Sequence, residues 1–103
     1  MSETTAMLES AARVPTAAPR RYMAQLCKHF AHKVPATFDD TRGHIQFDVG
    51  PCDLEADQDA GILVMRVRAA DEAGIERLEN VVARHLARFA FREQLDVSWK
   101  RSR

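Results

Sequence analysis

The sequence has little of what is typical of a disulfide scaffold, a nucleic-acid binder or a membrane protein. It holds two cysteines, which form no CxxC pair, and its 15 basic residues balance its 15 acidic residues. A balanced charge argues against non-specific nucleic-acid binding, which requires a surplus of basic side chains. No apolar run approaches the roughly 18 residues that a membrane span requires. We therefore expect neither nucleic acid nor membrane as a partner.

Leader sequences and well-known catalytic motifs are also missing. Residues 1–14 contain no apolar core of the signal-peptide type, so we expect a cytoplasmic protein with reduced cysteines. There is no glycine-rich phosphate loop, no GxSxG and no HExxH. With 46% apolar residues in 103, the composition is that of one globular domain. We predict a disordered tail at residues 1–10 and a single domain at residues 11–103.

The chemically most capable side chains are concentrated in residues 20–33, RRYMAQLCKHFAHK, which hold two histidines, a cysteine, a tyrosine and four cations. The apolar residues of this stretch recur at i, i+3, i+4 and i+7, the spacing of a helix that faces a core. Thr16 suits an N-cap and Pro19 suits a first helical turn, so we predict a helix that ends near His32. The core-facing residues are Met23, Leu26, Cys27 and Phe30.

Strand-like runs follow this helix, and one precedes it. Residues 44–49 alternate between apolar and polar side chains, and Gly50-Pro51 suits a two-residue turn of type II′. Such a turn would pair Ile45 with Ala56 and bring the apolar faces of both strands together. The predicted strands are residues 12–16, 34–38, 44–49, 52–56, 62–69 and a last run that contains Leu95, Val97 and Trp99.

A second helix is indicated by an apolar period of 3.6 residues out to about Ala90, with Asp71 as its N-cap. The element order is therefore β-α-β-β-β-β-α-β. Short turns between consecutive strands favour an antiparallel sheet of four to six strands, and two helices with one apolar stripe each cover a single face. We predict an α+β two-layer sandwich. Its order resembles the TATA-binding-protein-like folds, a likeness that carries no function.

Histidines of the two helices are the first candidates for a site. His29 and His32 are three residues apart on one helix, and His85 lies at the border of the second helix's apolar stripe, where it could meet His29. These imidazoles could be hydrogen-bonded structure, a proton-transfer group with Tyr22, or ligands of zinc or haem iron together with a thiol. No complete metal-ligand set is evident, and no cofactor is identified. The predicted ligand-binding residues are Arg21, Tyr22, His29, His32, Lys33 and His85.

The open face of the sheet is the second candidate, because acidic side chains would gather there. The predicted register places His44 opposite Asp57, and it brings Arg66 of the next strand near Asp53. One interpretation is a solvated face with weak charge pairs. The other is a carboxylate site for a divalent cation or for general acid/base chemistry. The acidic cluster consists of Asp48, Asp53 and Glu55.

Residues 21–33, 43–57 and 78–99 resemble a bacterial family catalogued as domain of unknown function 2218. The strings RYMAQLCKHFAHK and HLARFAFRE carry most of the resemblance. The family implies no established activity and no functional residues. Its relatives are associated with siderophore-interacting flavin reductases, so the resemblance implies an accessory role in iron acquisition with such a reductase as partner.

Three functions are therefore expected alternatives. The first is a small accessory or ligand-binding domain in siderophore or haem iron utilisation, whose cationic first helix would attract a small anionic ligand. The second is a small enzyme that uses His29 or His85 as general acid/base and has a concave pocket beside them. The third is a protein-docking or dimerisation module, with a homodimer as one form.

Overall fold

The structure, a computed structural model, describes residues 7–102. The described chain forms a six-stranded sheet and two helices in the predicted order. No helix among these residues is long and apolar enough to cross a membrane. The elements are β1 (Leu8–Pro15), α1 (Pro19–Phe30), β2 (Ala36–Phe38), β3 (Arg42–Gln46), β4 (Pro51–Asp57), β5 (Ile62–Ala69), α2 (Glu72–Phe89) and β6 (Trp99–Ser102).

The sheet has the strand order β2-β3-β4-β5-β1-β6, and every neighbouring pair is antiparallel. Both helices lie on the same face. Gly43 of β3 lies against Met23 and Cys27 of α1, and Ser10 of β1 contacts Glu79 of α2. Side chains of directly paired residues on neighbouring strands point to the same face of the sheet. The registers therefore place Gly43 and Ser10 on one and the same inward face. The predicted α+β two-layer sandwich is confirmed.

The core lies between this inner face and the two apolar helix stripes, as the period of each helix predicts. Leu26 of α1 and Leu86 of α2 are fully buried, as is Met65 of β5. Burying a side chain of this size stabilises the fold by about 2 kcal/mol. The α2 helix begins as predicted, because Asp71 Oδ1 accepts a hydrogen bond of 2.8 Å from the backbone N–H of Gly74.

The N-terminal strand begins earlier than predicted. β1 starts at Leu8, so residues 8–10 belong to the sheet and the predicted disordered tail is wrong for them; residues 1–6 lie outside the described residues. Pairing of Leu8 with Ala69 at the end of β5 extends the strand. The predicted N-cap is also wrong, because Ala18 holds that position and Thr16 donates its hydroxyl to Glu93.

The hairpin between β3 and β4 has a different register from the predicted one. Ile45 pairs with Cys52 and not with Ala56, a shift of four residues. The predicted two-residue turn is replaced by a loop at residues 47–50, in which the N–H of Phe47 donates to the carbonyl of Gly50. Because the shift is even, every side chain stays on its predicted face. The inward alternation is therefore confirmed although the pairing is wrong.

The last strand is displaced toward the C-terminus. Leu95 and Val97, which alternate as a strand would, precede β6 and pack against the core from an irregular segment. The strand itself is Trp99–Ser102, which pairs with β1 at the sheet edge. Its position is set by Arg101, whose guanidinium donates two hydrogen bonds to the carboxylate of Glu79 on α2.

Candidate functional site

His29 at the end of α1 and His85 in α2 come together where the helices meet, as their helical positions predict. Their ring centroids are 4.9 Å apart, with an angle of 45° between the rings. Phe30 lies beside both rings, at 5.0 Å from His29 and 4.8 Å from His85, and Phe89 lies 5.7 Å from His29. Two imidazoles of different helices therefore border one aromatic surface.

The orientation of His85 is fixed by its own helix. Its Nδ1 lies 2.7 Å from the carbonyl oxygen of Val81, one turn earlier. Because a carbonyl oxygen only accepts, Nδ1 is the protonated nitrogen and the lone pair of the neutral ring lies on Nε2. His85 can therefore accept a hydrogen bond at Nε2 or, when protonated, donate one.

Positive charge surrounds this pair. Desolvation lowers the pKa of His29, and the neighbouring charges of His85, Lys33, Arg88 and His32 lower it further. None of the ion pairs among the described residues involves this group. We call His29, His32, Lys33, His85 and Arg88 the helix-border cluster.

Two predicted site residues lie outside the cluster. Tyr22 is buried, and its hydroxyl donates a 2.6 Å hydrogen bond to Glu93. This bond, burial and the charge of Glu93 raise the pKa of Tyr22. The hydrogen bond from Tyr22 thus holds the segment after α2 against α1. The structure gives no support to the predicted proton-transfer group of Tyr22 and His29. Arg21 is exposed and eight residues before His29, about 12 Å along the helix.

The described residues do not assemble the alternative metal site of these histidines and a thiol. Among residues 7–102 no group of three histidine, cysteine or acidic side chains could hold a metal ion. Cys27 and Cys52 are free and buried in the core. Burial raises the pKa of the Cys27 thiol to about 11, and that of Cys52 is raised further. Both are protonated at neutral pH and act as small apolar side chains, as predicted for Cys27.

The open sheet face carries a cavity of about 560 Å³ between β2 and β5. His44 lies opposite Asp53 there, and its Nδ1 is 2.7 Å from Asp53 Oδ1. The prediction that His44 faces Asp57 is wrong because of the four-residue shift in register. Arg66 does pair with Asp53 across the strands, as predicted, but the guanidinium nearest that carboxylate belongs to Arg68, at 3.2 Å.

The predicted acidic cluster is only partly assembled. Asp48 is exposed in the loop at residues 47–50, away from the paired strands, so it does not join Asp53 and Glu55. Three well-defined cavities among the described residues also give the enzyme interpretation no support, since none of them is lined by His29 or His85. Sequence reasoning missed the cavity and the pairing of His44 with Asp53. The alternation in the sequence predicts that both side chains point outward, but whether they meet depends on the strand register.

The ion pair of His44 makes stability depend on pH. The hydrogen bond to Asp53 raises the pKa of His44 above its usual value of 6.5. Its stabilisation is therefore fully present below the unfolded-state pKa and is lost as pH rises through the higher folded-state pKa. We expect His44→Gln to reduce the free energy of unfolding more at about pH 5.5 than at about pH 8.5, measured by urea denaturation. The exposed His32→Gln is the control, and a pH-independent loss in His44→Gln would contradict this assignment.

Fold and site together define a small α+β domain with a cationic helix border on one side and a polar cavity on the other. The sequence profile of the family described as "Uncharacterized protein conserved in bacteria (DUF2218)" matches residues 11–100. The chain belongs to this family, which confirms the resemblance found in its sequence.

A solved structure supports the same conclusion. The NMR structure of PA4090 from Pseudomonas aeruginosa has a TM-score of 0.76 with this protein and 34% sequence identity. The match covers 90% of this chain and 95% of that chain. No curated protein matches the sequence.

Proposed function

We propose that this protein is a small accessory domain of the bacterial cytoplasm that binds an anionic iron complex, a ferric siderophore or haem, at the helix-border cluster. One observation carries the proposal. Positively charged and titratable nitrogen groups converge around His29, and no carboxylate among the described residues pairs with them. Such unneutralised charge attracts anions.

The shape and composition of the border add to this argument. The sequence from Ser10 to Phe38 contains no acidic residue, so α1 presents cations without local neutralisation. The exposed ring of His29 lies 5.7 Å from the ring of Phe89 and 5.0 Å from the buried ring of Phe30. Aromatic edges of this kind pack well against catechol or porphyrin rings. The cluster therefore combines a charge and a surface that both suit such complexes.

Binding of an iron(III) tris-catecholate complex, followed by isothermal titration calorimetry, tests this proposal. Since the pKa of His29 is lowered, the fixed charges at neutral pH are those of Lys33 and Arg88. We expect Lys33→Gln/Arg88→Gln to bind the complex at least about tenfold more weakly, because two charge-assisted contacts are removed. The control Arg13→Gln/Arg77→Gln removes the same charge from exposed positions elsewhere.

The histidines are tested separately with His29→Ala/His85→Ala, which leaves the fixed charges in place and removes the two imidazoles. Loss of binding in both double variants supports the assignment. Equal affinity of all variants, control included, rejects the helix-border cluster as the site.

We also propose that the accessory role is exercised on a siderophore-interacting flavin reductase that docks near the end of α2. Phe91 favours this location, because 76% of its surface is exposed directly after the helix and Arg92 stacks over its ring at 5.5 Å. Exposed aromatic side chains are frequent binding anchors. We expect Phe91→Ser to keep the stability of the fold and to abolish binding to a purified reductase in sedimentation. Self-association of the wild type in the same runs, lost in Phe91→Ser, would indicate a homodimer at this surface instead.

A further inference from the structure

The cavity on the open sheet face lies on the opposite side of the sheet from both helices and shares no residue with the helix-border cluster. Its volume of about 560 Å³ falls within the ~300–1,000 Å³ typical of small-molecule sites. The floor consists of outward side chains from β3, β4 and β5, and Thr37 of β2 forms one wall. The space is therefore suited to a small organic molecule.

Two arginines in this cavity have unused hydrogen-bond donors. Arg42 makes no side-chain hydrogen bond or ion pair with another described residue, and Arg66 reaches Glu55 only at 3.8 Å, too far for a hydrogen bond. A guanidinium presents five N–H donors in a planar arrangement that fits a carboxylate with two parallel bonds. Both side chains are thus available to a ligand.

The other charges of the cavity are already engaged. Asp53 is paired with both His44 and Arg68, at 2.7 and 3.2 Å. Asp39 accepts backbone hydrogen bonds of 2.9 and 2.8 Å from Thr41 and Arg42. The charged side chains of the cavity that make no hydrogen bond to another described residue are the two arginines and Glu55.

The strand register sets the distance between the two arginines. Arg42 pairs with Glu55 from β3, and Arg66 pairs with Asp53 from β5, so the arginines flank β4. Two strand spacings separate their backbones by about 10 Å across the sheet, and the arginines are also offset by two residues along the strands. Because Glu55 lies between them, a single compact anion cannot contact both arginines without approaching this carboxylate. A ligand with an anionic group at each end avoids that repulsion.

We propose that this cavity binds a small di- or tricarboxylic acid, with one carboxylate at Arg42 and another at Arg66. Thr37 at the wall supplies a hydroxyl that can donate to the same ligand. The site is separate from the anion site of the proposed function, and each can exist without the other.

Citrate is the first probe, titrated into the full ¹⁵N-labelled chain and followed by NMR at the backbone amides and the arginine Nε–H signals. We expect saturable shifts at Arg42, Arg66 and their strand neighbours. Arg42→Gln and Arg66→Gln should each weaken binding about tenfold, the effect of losing one charge-assisted pair. Arg13→Gln on β1 is the matched control, because it removes the same charge from the same sheet face outside the cavity.

Acetate and succinate then test the need for two carboxylates. We expect succinate to bind at the same residues and acetate to bind at least about tenfold more weakly, because it reaches one arginine only. Shifts that do not saturate, or equal weakening in all three arginine variants, overturn the proposal. So do shifts confined to Lys33, Arg88 and their neighbours, an outcome that would favour the helix-border cluster as the anion site.

Discussion

Glu79→Ala is expected to lower the free energy of unfolding by about 3 kcal/mol, because it breaks a buried hydrogen-bonded ion pair and leaves its partners unsatisfied. Glu79 is 8% exposed and accepts a 2.6 Å hydrogen bond from the hydroxyl of Ser10, which is fully buried. Arg101 donates two further bonds, of 2.9 and 3.0 Å, to the same carboxylate. The variant thus removes both the anchor of β6 and the only hydrogen bond that the Ser10 hydroxyl makes among residues 7–102.

Urea denaturation followed by circular dichroism and by Trp99 fluorescence measures this effect. Trp99 lies on β6, so its signal changes if that strand detaches before the rest of the domain unfolds. Glu79→Gln should be less severe, because its amide oxygen can still accept from Ser10. Glu76→Ala, on the exposed side of the same helix, is the control and should change stability by less than about 0.5 kcal/mol. A Glu79→Ala protein as stable as this control would show that the pair contributes nothing net.

The pH dependence of Glu79 follows from the same contacts. The hydrogen bonds from Arg101 and Ser10 hold the pKa of Glu79 below its usual value of 4.5. The stabilisation is therefore present above the unfolded-state pKa and is lost as pH falls through the lower folded-state pKa. The difference between wild type and Glu79→Gln should consequently shrink in acid.

Gly50→Ala is expected to destabilise the protein by about 3 kcal/mol or more, because its methyl group would overlap the backbone of β5. A Cβ at this position would lie 1.9 Å from the carbonyl oxygen of Arg68 and 3.0 Å from the carbonyl carbon. Neither atom can rotate away, since both belong to a central strand. The whole loop at residues 47–50 would have to move from the sheet.

Gly61→Ala supplies the comparison in the same denaturation experiment. Gly61 has a φ of 68°, so alanine there costs about 1 kcal/mol of backbone strain, and its Cβ would meet only the carbonyl oxygen of Thr16, at 3.2 Å. Gly50 has no positive φ, so glycine is required there only because no side chain would fit. If Gly61→Ala were the more destabilising of the two, the close approach of the loop to β5 would not be a constraint in solution.

Local patterns predicted most of the fold and four of the five residues of the helix-border cluster. The sequence pattern predicts both ends of β5 correctly, and the apolar period and the N-cap Asp71 place α2. These signals are local because they depend on side chains close in sequence. The helical phase of His29 and His85 also predicted their meeting. Arg88 could not be assigned to the cluster, since its place depends on how α2 packs against α1.

The strand register, the position of β6 and the cavity depend on tertiary contacts. Alternation repeats every two residues, so it fixes which face a side chain takes but is equally satisfied by a shift of four. The clash that Gly50 avoids comes from Arg68, and the anchor of β6 comes from Glu79, both distant in sequence. Local sequence patterns therefore predict the elements and their faces. Contacts between distant residues determine which side chains meet, and hence that His44 pairs with Asp53 beside two arginines with free hydrogen-bond donors.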